Sequence, residues 1–205
     1  MGCDIHLFVE KRTEAGYVGV PAPGNWNNDR LEFSAEPSRF KGGDWFWDRN
    51  YALFAWLAGV RNSENNTPLS DPRGLPLDAA PETRASSDEY GIDGHSHTFF
   101  TLSELAAAGK ATPLTHGGAV PEEYYKKWRE SGEDFPDSWC AATNGQTVPE
   151  SEYKDGDFVR TGRPLYVECA WTVSVERSFA RFFKFLAGVR EVAGPDARIV
   201  FFFDN

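Results

Sequence analysis

Arg198-Ile199-Val200-Phe201-Phe202-Phe203 closes the clearest structural unit of the chain, and its reading decides the fold. The run is β-branched and aromatic and follows Gly194-Pro195, so it reads as a strand. Ahead of it, Glu176 to Val192 reads as a helix: Phe179, Phe182, Phe183, Leu186 and Val189 make one side broadly apolar, and Gly194-Pro195 terminates it. A further strand is expected near Pro164–Val175. At the other end of the chain, residues 3–11 alternate, with Cys3, Ile5, Leu7 and Val9 on one face and Asp4, His6, Phe8 and Glu10 on the other. The N-terminal strand is expected to join the C-terminal strands in a single mixed or antiparallel sheet. The fold class is therefore α+β, one domain over 1–205, with helices mainly on one face and long polar loops.

Composition narrows the function. The 205 residues are 40% apolar and 15% aromatic, enough for a packed core. A formal charge of -10 argues against general nucleic-acid binding, which needs clustered Lys and Arg to release counterions. Small nucleotides, other small ligands and proteins remain as partners, and self-association into a homo-oligomer stays open. Three widely spaced cysteines, Cys3, Cys140 and Cys169, form no CxxC pair, so a reducing cytoplasm is expected. No targeting segment is read at the N-terminus, and no apolar run reaches membrane-spanning length, so no membrane partner is expected.

Between the terminal strands, Gly16–Pro23 and Leu31–Phe33 suggest a hairpin around the polar turn 24–29, with Trp26 as a lid residue or a cover for the core edge. An aromatic cluster, Trp45-Phe46-Trp47, precedes a helix read over Tyr51–Val60 with Asp48 as its N-cap. Asn62–Tyr90 and Gly132–Gly162 read as long polar loops. Thr101-Leu102-Ser103-Glu104 has capping-box spacing and should start a short helix that Gly109 ends. Pro121–Arg129 reads as another helix, with early acids, late bases and Gly132 beyond it. The pentapeptide Leu57–Arg61 recurs at Leu186–Arg190, which two similar helix ends explain without a duplication.

The chemistry concentrates in Asp93-Gly94-His95-Ser96-His97-Thr98 and in Cys3-Asp4-Ile5-His6, which together hold three of the four histidines. In extended backbone His95 and His97 would share a face with Asp93, and Asp4 would share one with His6. If the segments meet, His6, His95 and His97 become catalytic candidates. With Asp4 and Asp93 they would make a ligand set for a divalent metal, zinc or manganese. A metal-free form would use one histidine as general base and another as general acid. Arg49 and Arg61 offer forked phosphate contacts, and Asn50, Tyr51, Ser96 and Thr98 stand beside these groups as further ligand-binding candidates. The competing readings are ion pairs from the arginines to acids and histidines that hydrogen-bond a turn.

The opening Met-Gly-Cys-Asp-Ile-His-Leu-Phe-Val-Glu, the helix from Arg49-Asn50-Tyr51 to Arg61-Asn62, Asp93-Gly94-His95-Ser96 and the closing Val-Phe-Phe-Phe-Asp-Asn resemble a group of proteins in tailed-phage and bacterial genomes. The resemblance spans most of the chain and brings no catalytic residues to carry over. It implies an accessory phage protein in a host bacterial cytoplasm, in a setting where such proteins bind or destroy nucleotide immune signals. Three functions follow as expectations. One is a histidine/acid-dependent phosphodiesterase or hydrolase, with or without a metal. Another is a non-catalytic nucleotide sponge in which Trp45, Trp47 or Tyr90 stacks a base. The third is an acidic inhibitor of a protein partner.

Overall fold

The computed structural model describes residues 2–34, 45, 46, 48–63, 65–155 and 164–204. Its elements begin with β1 (Asp4–Thr13), β2 (Gly16–Gly19), β3 (Trp26–Asn27), β4 (Glu32–Phe33), α1 (Tyr51–Ala58), α2 (Pro81–Tyr90), β5 (His95–Thr101) and α3 (Leu102–Ala111). They continue with β6 (Pro113–Pro121), α4 (Glu122–Ser131), β7 (Gln146–Pro149), β8 (Leu165–Ser174), α5 (Val175–Ser178), α6 (Ala180–Ala193) and β9 (Arg198–Asp204). The class is α+β, as the sequence indicates. The chain divides into two compact units, residues 1–111 with 179–205, and residues 112–178.

In the first unit the strand order is β2-β1-β9-β5, antiparallel throughout. The two ends of the chain pair directly, Asp4 opposite Asp204 and Glu10 opposite Arg198. Ile199 to Phe203 have no exposed surface, because β9 lies between two strands and is covered on both faces; that is why the run is continuously apolar instead of alternating. On one face Phe203 meets Phe54 of α1 at 4.9 Å, and on the other Phe202 meets Tyr90 of α2 at 5.3 Å.

The helices show which local signals hold. Thr101 and Glu104 form the expected capping box: the Glu104 carboxylate accepts from the Thr101 N–H at 2.8 Å, and the Thr101 hydroxyl accepts from the Glu104 N–H at 3.2 Å. Gly109, read as the end of that helix, lies inside α3; a Cβ there would come within 2.3 Å of the Phe183 ring, so the glycine serves close packing. Asn50, not Asp48, caps α1, its side chain accepting from the Leu53 N–H at 3.1 Å. Trp26 belongs to the core: its indole donates to the Trp45 carbonyl, and Gly188 of α6 leaves room for its ring. The hairpin read around residues 24–29 shrinks to the two-residue pairing of β3 with β4, while β2 pairs with β1.

The largest correction falls in Asn62–Tyr90, read as loop, where Pro81–Tyr90 form α2. This helix shows no apolar stripe, buries only Thr83, and has no side-chain cap at Ala80. A charge inside the sheet holds it. Glu10, fully buried on β1, accepts from the Ala80 N–H at 2.8 Å and the Thr83 hydroxyl at 2.7 Å. Arg198, 4% exposed, donates to the other oxygen of Glu10 at 2.8 Å and reaches the carboxylate and carbonyl of Asp78 at 2.9 and 3.0 Å. The guanidinium also lies 3.5 Å from the centre of the Tyr17 ring.

The second unit has its own sheet, β6-β8-β7, with β6 antiparallel and β7 parallel to β8. The strand expected near 164–175 is therefore β8 at the centre of this second sheet. Its inward residues Cys169, Trp171 and Val173 pack with Trp128 of α4, and Val167 packs with Val148 of β7 and with Leu165. Helix α4 follows the sequence reading and ends on Gly132 in the left-handed region, φ 71. Here the fourth histidine, His116, is buried, with its ring nitrogen 2.9 Å from the Ser178 hydroxyl. Among the described residues no helix is long and apolar enough to cross a membrane.

Candidate functional site

The candidate site lies at the end of the first sheet where β1 begins and β9 finishes. Alternation along β1 puts Asp4 and His6 on one face, and the register places Phe202 and Asp204 beside them. Nε2 of His6 lies 3.2 Å from Oδ2 of Asp204, off the line that a hydrogen bond needs, so the nitrogen is buried without a hydrogen-bond partner among the described residues. The other oxygen of Asp204 accepts the Asp4 N–H at 3.0 Å, which fixes the carboxylate against the sheet. The Tyr90 ring covers the imidazole, with centroids 4.2 Å apart.

Two arginines approach the same end. Arg49 donates from Nε and from a terminal nitrogen to the two oxygens of Asp4, at 2.5 and 2.7 Å. This fork holds the Asp4 carboxyl below the usual carboxylate range. Arg61 reaches the Gly2 carbonyl at 3.5 Å and lies 6.0 Å from the centre of the exposed Tyr51 ring. Cys3 between them is fully buried, and burial pushes its thiol up, against the pull of Arg61. Asp4, His6, Tyr90 and Asp204 border a cleft of about 950 Å³ that continues between β1 and α2, past Thr83, Ser86 and Glu89.

The structure thus brings His6, Asp4 and Arg49 together on one face, while Tyr51 and Arg61 sit at the same end of the sheet with Gly2, Cys3 and the α1 side. It separates the other histidines. Ser96 has φ 53, and the β5 register shifts between His95 and Thr98, which breaks the alternation that would have set His95 and His97 on one face. His95 stacks on Phe203, while His97 stacks on Phe202, the next residue, which faces the other side. His97 and His6 share a face but flank the Phe202 ring, at 4.9 and 5.0 Å from it. Neither His95 nor His97 is among the described residues lining the cleft.

His97 is spoken for locally: Nε2 lies 2.8 Å from the Ser87 hydroxyl, and burial, with His95 nearby, holds its pKa below the usual imidazole value. Nδ1 of His95 lies 3.0 Å from the Ser96 hydroxyl, and its Nε2 is buried without a partner among the described residues. Asp93 is exposed in the turn before β5, Thr98 is buried and accepts the Arg73 N–H at 3.3 Å, and Asn50 is the cap of α1. Trp45, named as a stacking residue, is 2% exposed and donates its indole N–H to the Val20 carbonyl; Trp47 lies outside the described residues. No three of His, Cys, Asp and Glu come close enough to hold a metal ion among the described residues.

Asp204, Glu82, Ser86 and Glu89 were not named from the sequence. Asp204 had a signal, since it sits two residues beyond Phe202 at the end of an apolar run and so takes the face of His6 once the strands pair. The three α2 residues had none while their segment read as loop. No family model, curated protein or solved structure matches the chain.

Proposed function

We propose that the chain is a hydrolase of a phosphodiester or related bond in a nucleotide-type signal, with His6 as the general base. The observation that carries this is the His6–Asp204 contact at 3.2 Å, at the border of a cleft large enough for a nucleotide, with the Arg49 guanidinium on the neighbouring Asp4 and Arg61 at the same end of the sheet. A carboxylate beside an imidazole is the pairing that orients a base once the two align in a hydrogen bond. In the proposed reaction His6 takes a proton from water, the water oxygen bonds to phosphorus, and the bond to the leaving oxygen breaks. The imidazolium then returns the proton to the leaving oxygen. Arg61, with Arg49 turning from Asp4, holds the phosphate oxygens and the charge that develops on them. The step is written for the metal-free form of the reading, with His6 alone as the base. The likeness to tailed-phage sequences supports an immune signal of the host bacterium as the substrate.

Incubation with cyclic dinucleotides and ADP-ribose derivatives, followed by product analysis, tests the reading. Turnover of one of them is expected, falling about 10²–10⁴-fold in His6→Gln and in Asp204→Asn. Turnover unaffected by both substitutions, or intact probes after incubation with wild type, would overturn it. A sponge reading draws on one observation, the exposed Tyr51 ring beside Arg61, which suits stacking on a base with phosphate close by. Bound ligand released intact on denaturation would favour that reading.

A further inference from the structure

Strand β1 is ten residues long, yet β2 pairs only with its second half, Glu10 to Thr13. The last bond on that side runs from the Val20 N–H to the Val9 carbonyl at 2.9 Å. Pro21 follows, without an N–H to continue the ladder. Among the described residues no strand pairs with Asp4–Phe8 on the side away from β9. The phase of the ladder follows from the bonds that are made. Val9 turns its polar groups toward β2, and Asp4 turns its N–H toward Asp204, so Leu7 and Ile5 present N–H and C=O to the open side.

The cleft runs along this open edge. Every residue from Asp4 to Val9 lines it, whichever face its side chain takes, and Gly19, Val20 and Pro21 close one end. One wall is apolar, Trp45 and Phe46, which pack on Phe185 of α6. The other is α2, with Glu82, Ser86, Glu89 and Tyr90. No Lys or Arg is among the described lining residues. Asp4 and Asp204 meet Arg49 and His6, but Glu82 and Glu89 are exposed, with no cationic partner among the described residues.

We infer that the open edge of β1 is a docking site for an extended segment of a partner protein, added as a strand in line with β2. Strand addition supplies backbone bonds to Ile5 and Leu7, and the two walls supply selectivity for alternate side chains. Side chains turned toward α2 face Glu82 and Glu89 and are basic. Those turned the other way meet Trp45 and Phe46 and are apolar. The occupant is therefore an alternating basic and apolar strand of about five residues, which spans roughly 17 Å. This site uses the backbone of β1 and the acids of α2; it shares the cleft of the hydrolase reading but does not rest on that reading.

The test uses the full chain with three capped hexapeptides: alternating Lys and Val, the same peptide with a central Pro, and alternating Glu and Val. Calorimetry gives affinity, and amide exchange by NMR gives location. The Lys-Val peptide is expected to bind at least tenfold tighter than either control and to slow exchange at Ile5 and Leu7 at least tenfold. The double variant Glu82→Lys with Glu89→Lys is expected to lose at least tenfold in affinity, with an unchanged thermal midpoint showing that it folds. Equal binding of the Pro or Glu peptide, unslowed Ile5 and Leu7 amides, or no binding of the Lys-Val peptide would each overturn the inference. Nucleotide turnover, measured separately, bears only on the hydrolase reading.

Discussion

The β1–β9 pair carries charged residues at both ends of the same sheet face, and the two ends treat them oppositely. At the Glu10 end the carboxylate is fully buried, yet both oxygens are used, by Ala80, Thr83 and Arg198, and Arg198 is shared with Asp78. At the Asp4 end Asp204 and His6 are partly exposed beside a cleft, and the imidazole nitrogen near Asp204 has no aligned hydrogen bond among the described residues. A buried charge with every partner in place has little left to offer a ligand, and its task is to hold α2 on the sheet. An imidazole with an acid beside it and spare hydrogen-bonding capacity does have something to offer.

The strongest way to break this contrast is to remove Glu10. Glu10→Ala leaves the Arg198 guanidinium buried and the α2 amide at Ala80 unmatched, and should cost about 3–5 kcal/mol in urea unfolding. The pair Glu10→Leu with Arg198→Met should recover part of that loss, since no lone charge then stays inside. A cost below about 1 kcal/mol for Glu10→Ala would mean that this end is not a clamp. Thr83→Val, which removes one donor to the carboxylate at nearly constant volume, should cost about 1.5–3 kcal/mol in the same measurement.

At the opposite end stability and function should part company. His6→Gln deletes ring contacts with Tyr90 and Phe202 and should cost no more than about 1.5 kcal/mol by thermal unfolding. Turnover, if the hydrolase reading holds, falls by orders of magnitude in the same variant. A His6→Gln protein as unstable as Glu10→Ala would give both ends the same structural role and remove the contrast.

Much of this frame was legible because the residues that set it follow simple periods. Cys3 to Glu10 alternate, Phe182 to Val189 repeat at helical spacing, and Thr101 with Glu104 announces a cap. Helix α2 was hidden because a buried glutamate seventy residues earlier anchors it, and no apolar stripe records that bond. The separation of His95 from His97 was hidden for a related reason: one residue with positive φ, Ser96, inverts the facing of the strand residues after it, and serine at that place carries no local signal for the inversion. Asp4, His6 and Arg49 could be named as candidates, but that Arg49 is held by Asp4 belongs to tertiary structure.

Acid provides the finest probe of the comparison, because His97 stands on the face of His6 yet is bonded to Ser87 instead of lining the cleft. Its pKa is held below the ordinary imidazole value of 6.5, chiefly by burial and then by His95. Between that value and the lower folded one, the unfolded chain binds a proton that the folded chain refuses. Stability from neutral His97 is therefore complete above about pH 6.5 and is lost as pH falls through the folded pKa. Asp4, held below the usual carboxylate value by Arg49, adds its loss only at more acid pH. Urea midpoints should fall from pH 7 to pH 5 in wild type, and His97→Gln should flatten that limb. An acid limb that persists in His97→Gln would assign the protonation elsewhere and leave His97 an ordinary hydrogen-bonded side chain.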